Sequence, residues 1–125
     1  MFDARNSNKP LVRVIDDDDA MRNSWSFIIE GEGWDVATYP DALTFLSMGN
    51  WQRPGCILLD VRMPHMSGLE LQFKLREIGC DLPIIFISGH GDIDMAVHTL
   101  KHGAMDFLTK PVSDQRLLEA IETAV

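Results

Sequence analysis

The sequence predicts an α/β domain built on a doubly wound, five-stranded parallel sheet of the flavodoxin-like (βα)5 type, with strand order 2-1-3-4-5. Strand-like and helix-like segments alternate five times along the 125 residues, which is the pattern of parallel βαβ units. Two of the strand-like segments are uninterrupted apolar runs, and such runs are typical of strands buried on both faces. Right-handed crossovers between parallel strands then favour the doubly wound order.

The first half of the chain gives two strands, residues 11–15 and 35–39, and two helices. Helix one follows at about residues 20–30, because apolar side chains recur there with helical spacing and Gly31 ends the pattern. Asp41 can cap a short second helix. The apolar positions are Met21, Trp25, Ile28 and Ile29 in the first helix and Leu43, Phe45 and Leu46 in the second.

Strand three, residues 56–60, is an apolar run that ends in Asp60. The run is too short for a buried helix and is followed closely by Pro64, so a buried strand is the better interpretation. Helix three opens with Ser67 and Glu70, which form a capping box, and it runs to about residue 78.

Strand four is residues 83–88, helix four is roughly residues 93–102, and strand five is the short stretch around residues 106–108. Ser113 or Asp114 caps helix five. The residues that fall on one face of this last helix are Leu118, Ile121 and Val125.

Composition and charge exclude several functions for this segment. The net charge of −8 and the pI near 4.7 argue against direct binding to nucleic acid or to an anionic membrane. No apolar run approaches the roughly 20 residues of a membrane span, and no signal peptide opens the chain, so we expect a cytoplasmic protein. We expect Cys56 and Cys80 to be free thiols.

We expect one domain over residues 11–125, preceded by a flexible polar segment, residues 1–10. A domain of this length buries roughly two thirds of the surface of its unfolded chain without disulfides or metals. The sequence ends inside the last helical pattern, so we expect a domain cut from a longer protein, with any output domain beyond residue 125.

Charged and hydroxyl side chains follow four of the predicted strands at the point where each strand ends. They are Asp16 and Asp17 after strand one, Asp60 at the end of strand three, Ser88 after strand four and Lys110 after strand five. Because parallel strands end at one edge of the sheet, we expect these side chains to lie close together. Strand one is followed by four aspartates, and the alternative role for these acids is to stabilise the N-terminus of helix one.

This cluster predicts a Mg²⁺ site and phosphoryl transfer. Close carboxylates repel one another unless a cation lies among them, and oxygen ligands without a Cys or His cluster select Mg²⁺. Lys110 would offset the remaining negative charge, and the Ser88 hydroxyl could donate to a phosphoryl oxygen. The predicted chemistry is transfer of a phosphoryl group onto Asp60.

Five short segments carry a further signal. They are Val14-Ile15-Asp16-Asp17-Asp18, Leu58-Leu59-Asp60-Val61-Arg62-Met63-Pro64-His65-Met66-Ser67-Gly68, Ile87-Ser88-Gly89-His90-Gly91-Asp92, Lys101-His102-Gly103-Ala104-Met105-Asp106-Phe107 and Thr109-Lys110-Pro111. In this order and spacing, the chain from about residue 11 to 125 resembles the receiver domain of two-component response regulators. The third and fourth segments are most similar to FixJ-type and nitrogen-regulator-type receivers.

The resemblance implies a role for each matching residue around the metal. Asp60 would be the phosphoacceptor, Asp17 would ligate Mg²⁺ directly, and Asp16 would act partly through water. The backbone carbonyl of Arg62 would be a further metal ligand.

The resemblance also implies a switch and two partners. Ser88 and Lys110 would bind the phosphoryl group, and Phe107 would be the aromatic residue that changes rotamer on activation. A sensor histidine kinase would supply the phosphoryl group, and a second copy would dock on the face of helix four, strand five and helix five. The output would be control of transcription. The Lys110–Pro111 bond is a candidate cis peptide.

Two other functions use a similar fold. A Mg²⁺-dependent aspartyl-phosphate phosphohydrolase usually needs a general acid two residues after Asp60, where Arg62 stands, and a substrate pocket. A flavin-binding electron carrier needs a phosphate loop after strand one, where four aspartates would repel a phosphate. His98 and His102 have the i, i+4 spacing of metal ligands, with a solvated helix face as the alternative, and His90 could line the mouth of the site.

Overall fold

The computed structural model describes residues 9–49, 51–89 and 93–125, in which five strands alternate with five helices. The strands are β1 (Leu11–Ile15), β2 (Asp35–Tyr39), β3 (Gly55–Asp60), β4 (Ile84–Ser88) and β5 (Asp106–Thr109). The helices are α1 (Asp19–Gly31), α2 (Ala42–Met48), α3 (Gly68–Glu77), α4 (Ile93–Lys101) and α5 (Asp114–Ala124). The strands form one parallel sheet in the order β2-β1-β3-β4-β5, which confirms the predicted fold.

The register of the sheet brings the ends of its strands together. Ile15 lies opposite Leu59, and Asp60 lies opposite Ile87, so β1, β3 and β4 end side by side. Ser88 pairs with Thr109 at the end of β5. The residues at or just after these strand ends therefore share one edge of the sheet, as predicted.

Helices cover both faces of the sheet, and each face has its own core. α2 and α3 pack on one face, where alternate residues of β1, β3 and β4 point toward them. α1 and α5 pack on the other face. The first core includes Ile15, Phe45, Ile57, Leu59, Leu71, Leu75 and Phe86, and the second includes Val14, Trp25, Ile29, Leu58, Ile87, Leu108 and Ile121.

Local side-chain bonds fix where the helices begin. The Asp41 carboxylate accepts from the Thr44 N–H at the start of α2, and Ser67 and Glu70 form the predicted capping box at α3. At α5 the cap is Ser113 rather than Asp114, since the Ser113 hydroxyl accepts from the Arg116 N–H.

The buried face of α5 differs from the sequence prediction. Leu117, Ala120 and Ile121 are buried, whereas Leu118 is only half-buried and Val125 is exposed. Both sets of positions have helical spacing. The stripe through Leu117, Ala120 and Ile121 is the one that packs in the core on this face of the sheet.

Several simpler expectations can be compared with the described residues. Cys56 and Cys80 are buried free thiols, as predicted. Among the described residues, no helix is long and apolar enough to cross a membrane. The expectation of flexibility falls mainly on residues 1–8, which lie outside the described residues, while Lys9 forms an ion pair with Asp35.

Candidate functional site

Three carboxylates meet at the edge of the sheet where β1 and β3 end. Asp16, Asp17 and Asp60 each offer an oxygen, and these oxygens all lie within 4.8 Å of one another. Asp16 and Asp60 are buried, whereas Asp17 is exposed. The cluster thus has two carboxylates held inside the protein and one facing solvent.

Backbone and side-chain bonds fix the direction of Asp16. Its N–H donates to the Tyr39 carbonyl at 3.2 Å, which continues the pairing of β1 with β2. Its carboxylate accepts from the Asp18 N–H at 2.9 Å. Its backbone carbonyl accepts from the Arg22 guanidinium on the first turns of α1. Asp16 is therefore anchored to both neighbouring elements.

The run of four aspartates divides between two tasks. Asp16 and Asp17 join the cluster at the sheet edge. Asp18 is the N-cap of α1, and its carboxylate accepts from the N–H groups of Ala20 and Met21 at 2.9 and 3.2 Å. Asp19, in the first helical turn, forms an ion pair with Arg22. Only half of the run is therefore available to a ligand.

Asp60 is the last residue of β3, and α3 begins very close to it. A Cβ atom added to Gly68 would lie 2.4 Å from the Asp60 carbonyl oxygen, so a side chain at position 68 would push α3 away from the strand end. The Gly68 N–H donates to the Val61 carbonyl at 2.8 Å. The glycine after Ser67 thus permits the tight connection that follows Asp60.

Lys110 lies beside the carboxylates, and its backbone is bonded to that of Ser88. The Lys110 Nζ atom lies 3.4 Å from Oδ2 of Asp16 and 3.9 Å from Oδ1 of Asp60. The Lys110 N–H donates to the Ser88 carbonyl at 2.7 Å, and Ser88 is buried at the end of β4. The Lys110–Pro111 peptide bond is cis, as predicted. All five residues that the sequence placed at the strand ends therefore lie at the same edge.

Comparison with known proteins decides the family. The sequence model of the response regulator receiver domain matches residues 12–122. The chain belongs to this family. It is 47% identical over 120 residues to the response regulator protein TmoT of Ectopseudomonas mendocina, and 41% identical over 119 residues to the transcriptional regulatory protein FixJ of Bradyrhizobium diazoefficiens.

The matches cover most of this receiver domain but only part of the relatives. They span 96% of this chain and 54% of TmoT, and 95% of this chain and 58% of FixJ. The chain thus spans about half the length of these curated relatives. Among solved structures, the response regulator StyR superposes with a TM-score of 0.87 at 46% identity, covering 93% of this chain and 59% of StyR. The FixJ-N structure superposes with a TM-score of 0.86 at 39% identity, covering 94% of each chain.

The electrostatics of the receiver site centre on Asp60. The pKa of its carboxyl is raised to about 6, first by burial, then by the negative charge of Asp16 and, to a smaller extent, by that of Asp17. Lys110 and the backbone N–H of Arg62 oppose this rise. The site therefore disfavours ionised Asp60 as long as no additional cation compensates the neighbouring acids.

The donor set of the receiver site fits Mg²⁺. All three candidate ligands are carboxylates, and hard oxygen donors are what Mg²⁺ prefers. With all groups ionised, three carboxylates and one nearby ammonium leave two uncompensated negative charges. The exposure of Asp17 leaves one side of the cluster open to water, which Mg²⁺ in proteins usually retains as ligands.

Arg62 and Phe107, the other two predicted site residues, lie at different distances from this cluster. Arg62 is exposed, two residues after Asp60, and its backbone N–H bonds to the Asp60 carboxylate. It lines an open cleft with Asp17 and Met95. Phe107 is half-buried on β5, where its ring stacks against Phe86 with a centroid distance of 6.3 Å. Phe107 thus packs against the edge of the core rather than among the carboxylates.

Sequence reasoning missed two contributions from α1. It treated Trp25 only as a core residue, yet the Trp25 ring also lies under the Lys110 ammonium. It did not assign Arg22, which anchors the Asp16 carbonyl. The helical spacing from the Asp18 cap was an available signal, because positions 22 and 25 lie on the side of α1 that returns toward the sheet.

The two helix-four histidines, His98 and His102, are not part of the described site. His98 and His102 are exposed on and just after α4, with ring centroids 4.3 Å apart, in keeping with the solvated-face interpretation. Among the described residues, a group of three or more side chains that could hold a metal ion is found at one place, the carboxylate cluster of Asp16, Asp17 and Asp60. His90, predicted at the mouth of the site, lies outside the described residues.

Proposed function

We propose that this receiver domain accepts a phosphoryl group from a sensor histidine kinase onto Asp60 with Mg²⁺, and that it thereby controls an output, the regulation of transcription. The proposal rests on the charged groups that surround Asp60. Its buried carboxylate lies with those of Asp16 and Asp17 within 4.8 Å, and the Lys110 ammonium is 3.9 Å away. The name of FixJ, a transcriptional regulatory protein, supports the proposed output.

The transfer step uses Asp60 as the nucleophile. One oxygen of its carboxylate attacks the phosphorus of a phosphohistidine on the kinase. The new P–O bond forms as the P–N bond breaks, and the electron pair of that bond stays with the imidazole. Lys110, whose Nζ atom is 3.9 Å from Asp60, would balance negative charge on the phosphoryl oxygens, and the donor would enter through the open cleft beside Arg62.

Asp16, Asp17, Asp60 and the backbone carbonyl of Arg62 are the groups that would hold Mg²⁺. The chemistry that a bound Mg²⁺ supplies is neutralisation of the carboxylates and of the phosphoryl oxygens. Without Mg²⁺, the raised pKa of Asp60 keeps part of the Asp60 carboxyl protonated near neutral pH, and a protonated carboxyl is a poor nucleophile. By holding Mg²⁺, the domain would assist its own phosphorylation and dephosphorylation. It would do so as a signalling protein rather than as an enzyme with a separate substrate.

The proposed readout runs from Ser88 to the surface of α4, β5 and α5. Ser88 is buried at the end of β4, and its hydroxyl would move toward a phosphoryl oxygen on Asp60. The loop that would follow this movement includes residues 90–92, which lie outside the described residues. Phe107 would then move into the space beside β5. Ile93, Val97 and Leu100 on α4 expose apolar surface, which supports docking of a second copy on this face.

The Mg²⁺-dependent phosphohydrolase is the weaker alternative. The residue two positions after Asp60 is Arg62, and a guanidinium stays protonated and cannot deliver a proton to a leaving group. Turnover of a phosphomonoester by the purified domain would favour this alternative.

The proposal is tested by incubating the domain with acetyl phosphate and Mg²⁺. We expect one base-labile phosphoryl group per chain, detected by intact mass, which is absent from Asp60→Asn. Asp81→Asn is the matched control, because Asp81 is an exposed aspartate that lies outside the cluster. Equal labelling of Asp60→Asn and the parent would overturn the assignment.

A further inference from the structure

The Lys110 ammonium lies between two different kinds of partner. On one side are the carboxylate oxygens of Asp16 and Asp60, at 3.4 and 3.9 Å. On the other side is the Trp25 ring, whose centroid is 5.6 Å from the Lys110 Nζ atom. This distance is within the range in which a cation is attracted to the face of an indole.

We propose that Trp25 is a positioning residue for phosphoryl binding, which holds the Lys110 ammonium against the carboxylate cluster through a cation–π contact. The inference rests on the proposed function, because it concerns the group that Lys110 would bind. It assigns to α1 a role in the chemistry of the site in addition to its place in the core.

Trp25 can hold Lys110 because its own position is fixed. Its side chain is 4% exposed and packs in the core between α1 and the sheet. α1 is attached to the site at its first turns by the Asp18 cap and by the bond from Arg22 to the Asp16 carbonyl. The ring is therefore placed relative to the same strand end that carries the carboxylates.

Lys110 needs such a restraint because a ligand can replace its contacts with the carboxylates. Its side chain is 24% exposed, and lysine has a flexible four-carbon stem that can turn toward solvent. A ligand among the carboxylates would compete for their oxygens and weaken their hold on the ammonium. The Trp25 ring has no such competitor, so its contact persists when the site is occupied.

An aromatic face also suits a lysine that must bind a phosphoryl group. A third carboxylate beside Lys110 would cancel the positive charge and occupy its N–H donors. An indole face attracts the cation through its quadrupole and leaves the donors free for oxygen atoms. Trp25 thus restrains the position of the ammonium while its charge and donors stay directed at the ligand.

The contact itself is tested by NMR of the ligand-free domain with labelled lysine side chains. Protons over the face of an aromatic ring are shielded, so we expect the ε-methylene resonance of Lys110 to be shifted upfield in the parent. The shift should be lost in Trp25→Leu and kept in part in Trp25→Phe. An unchanged Lys110 resonance in a folded Trp25→Leu protein contradicts the contact.

The positioning role is tested with fluorinated tryptophan, which weakens the ring quadrupole with almost no change in volume. The protein for this test carries Trp34→Phe and Trp51→Phe, so that Trp25 is the sole labelled residue. We expect the affinity for beryllofluoride with Mg²⁺ to fall stepwise with the number of fluorine atoms, by roughly three- to ten-fold in all. In the Lys110→Met background, fluorination should leave the affinity unchanged.

The outcomes separate the two proposals. An affinity that does not depend on fluorination, or that falls equally with and without Lys110, overturns the positioning role and leaves the proposed function standing. A parent domain that binds no beryllofluoride overturns both. If the doubly substituted background does not fold, the same comparison is made with Trp25→Phe and Trp25→Leu, each with and without Lys110→Met.

Discussion

His65 is the non-glycine residue with a left-handed backbone among the described residues, at φ 70°, in the loop between β3 and α3. Side chains with a Cβ atom are strained in this region, and glycine is not. His65→Gly should therefore raise the free energy of unfolding, by about 0.5–1 kcal/mol, in urea denaturation.

The control for this prediction is His98→Gly on α4. His98 is also exposed, but its backbone is helical, and glycine in a helix costs about 1 kcal/mol relative to good helix formers. The two substitutions should thus change stability in opposite directions. Destabilisation by both would contradict the assignment of strain to His65.

Asp60 should make the stability of the metal-free domain depend on pH. Its pKa is about 6 in the folded protein and about 3.9 in an unfolded chain, so the folded state binds the proton more tightly. The associated stability is fully present below pH about 4 and is lost as pH rises through about 6, to a total of up to about 3 kcal/mol. Asp60→Asn should remove this loss.

The measurement is urea denaturation of parent and Asp60→Asn between pH 4 and pH 7.5, in the presence of a chelator. The difference between the two proteins isolates the contribution of Asp60 from that of other titrating groups. Parallel stability curves across this interval would mean that Asp60 titrates normally. Added Mg²⁺ should restore stability to the parent at neutral pH and have a smaller effect on the mutant.

At the scale of elements, the turn from β1 into α1 has two functions, and each belongs to a different aspartate. Asp17 belongs to the proposed metal site, and Asp18 caps the helix. Asp17→Asn should weaken Mg²⁺ binding, because it removes one of the few protein ligands, and leave the metal-free domain equally or more stable through reduced repulsion. Asp18→Ala should lower the free energy of unfolding by about 1 kcal/mol, since it removes the helix cap.

The pair is compared by titration with Mg²⁺ and by denaturation in its absence. Asp18→Ala should bind Mg²⁺ nearly as the parent does. Parent-like Mg²⁺ affinity in Asp17→Asn, or a large loss of affinity in Asp18→Ala, would reverse the two assignments.

Some elements were predictable from sequence because their signals are local. The strand β3 could be recognised by the apolar run that ends in Asp60, and the start of α3 by Ser67 and Glu70, since a capping box lies within four residues. The buried face of α5 was not predictable, because overlapping stripes through Leu117 and Leu118 both have helical spacing. Which one faces the sheet depends on packing against residues that are distant in the sequence, such as Leu58 and Leu108.

The site shows the same contrast between local signals, which are predictable, and packing between distant residues, which is not. The carboxylates, Ser88 and Lys110 could be grouped in advance, because parallel strands must end at one edge. The contact between Trp25 and Lys110 joins residues 85 positions apart through the packing of α1, and no spacing in the sequence encodes it. Contacts that arise from long-range packing, such as this one, could thus not be predicted from the sequence alone.

At the scale of the whole molecule, the question is how occupancy at Asp60 reaches the surface. We expect Ser88→Ala to permit phosphorylation of Asp60 while it weakens the conformational response, because the hydroxyl that would bind a phosphoryl oxygen is lost. Sedimentation with and without beryllofluoride should show self-association of the parent and less of it in Ser88→Ala. A population shift of this kind needs only a few kcal/mol of differential interaction.

Amide chemical shifts provide the second measure of this response. They should change around Phe107 and along α4 in the parent when beryllofluoride binds. A parent that stays monomeric and shows no change around Phe107 would contradict the switch, while Asp60 would remain the proposed acceptor.

The most direct test of the central claim is to locate the phosphoryl group on the chain. After incubation with acetyl phosphate and Mg²⁺, treatment with borohydride reduces an aspartyl phosphate to homoserine, which tandem mass spectrometry of peptides can place. We expect homoserine at position 60 and unmodified aspartate at positions 16 and 17. Homoserine at another aspartate, with position 60 unchanged, would contradict the assignment of Asp60 as the phosphoacceptor.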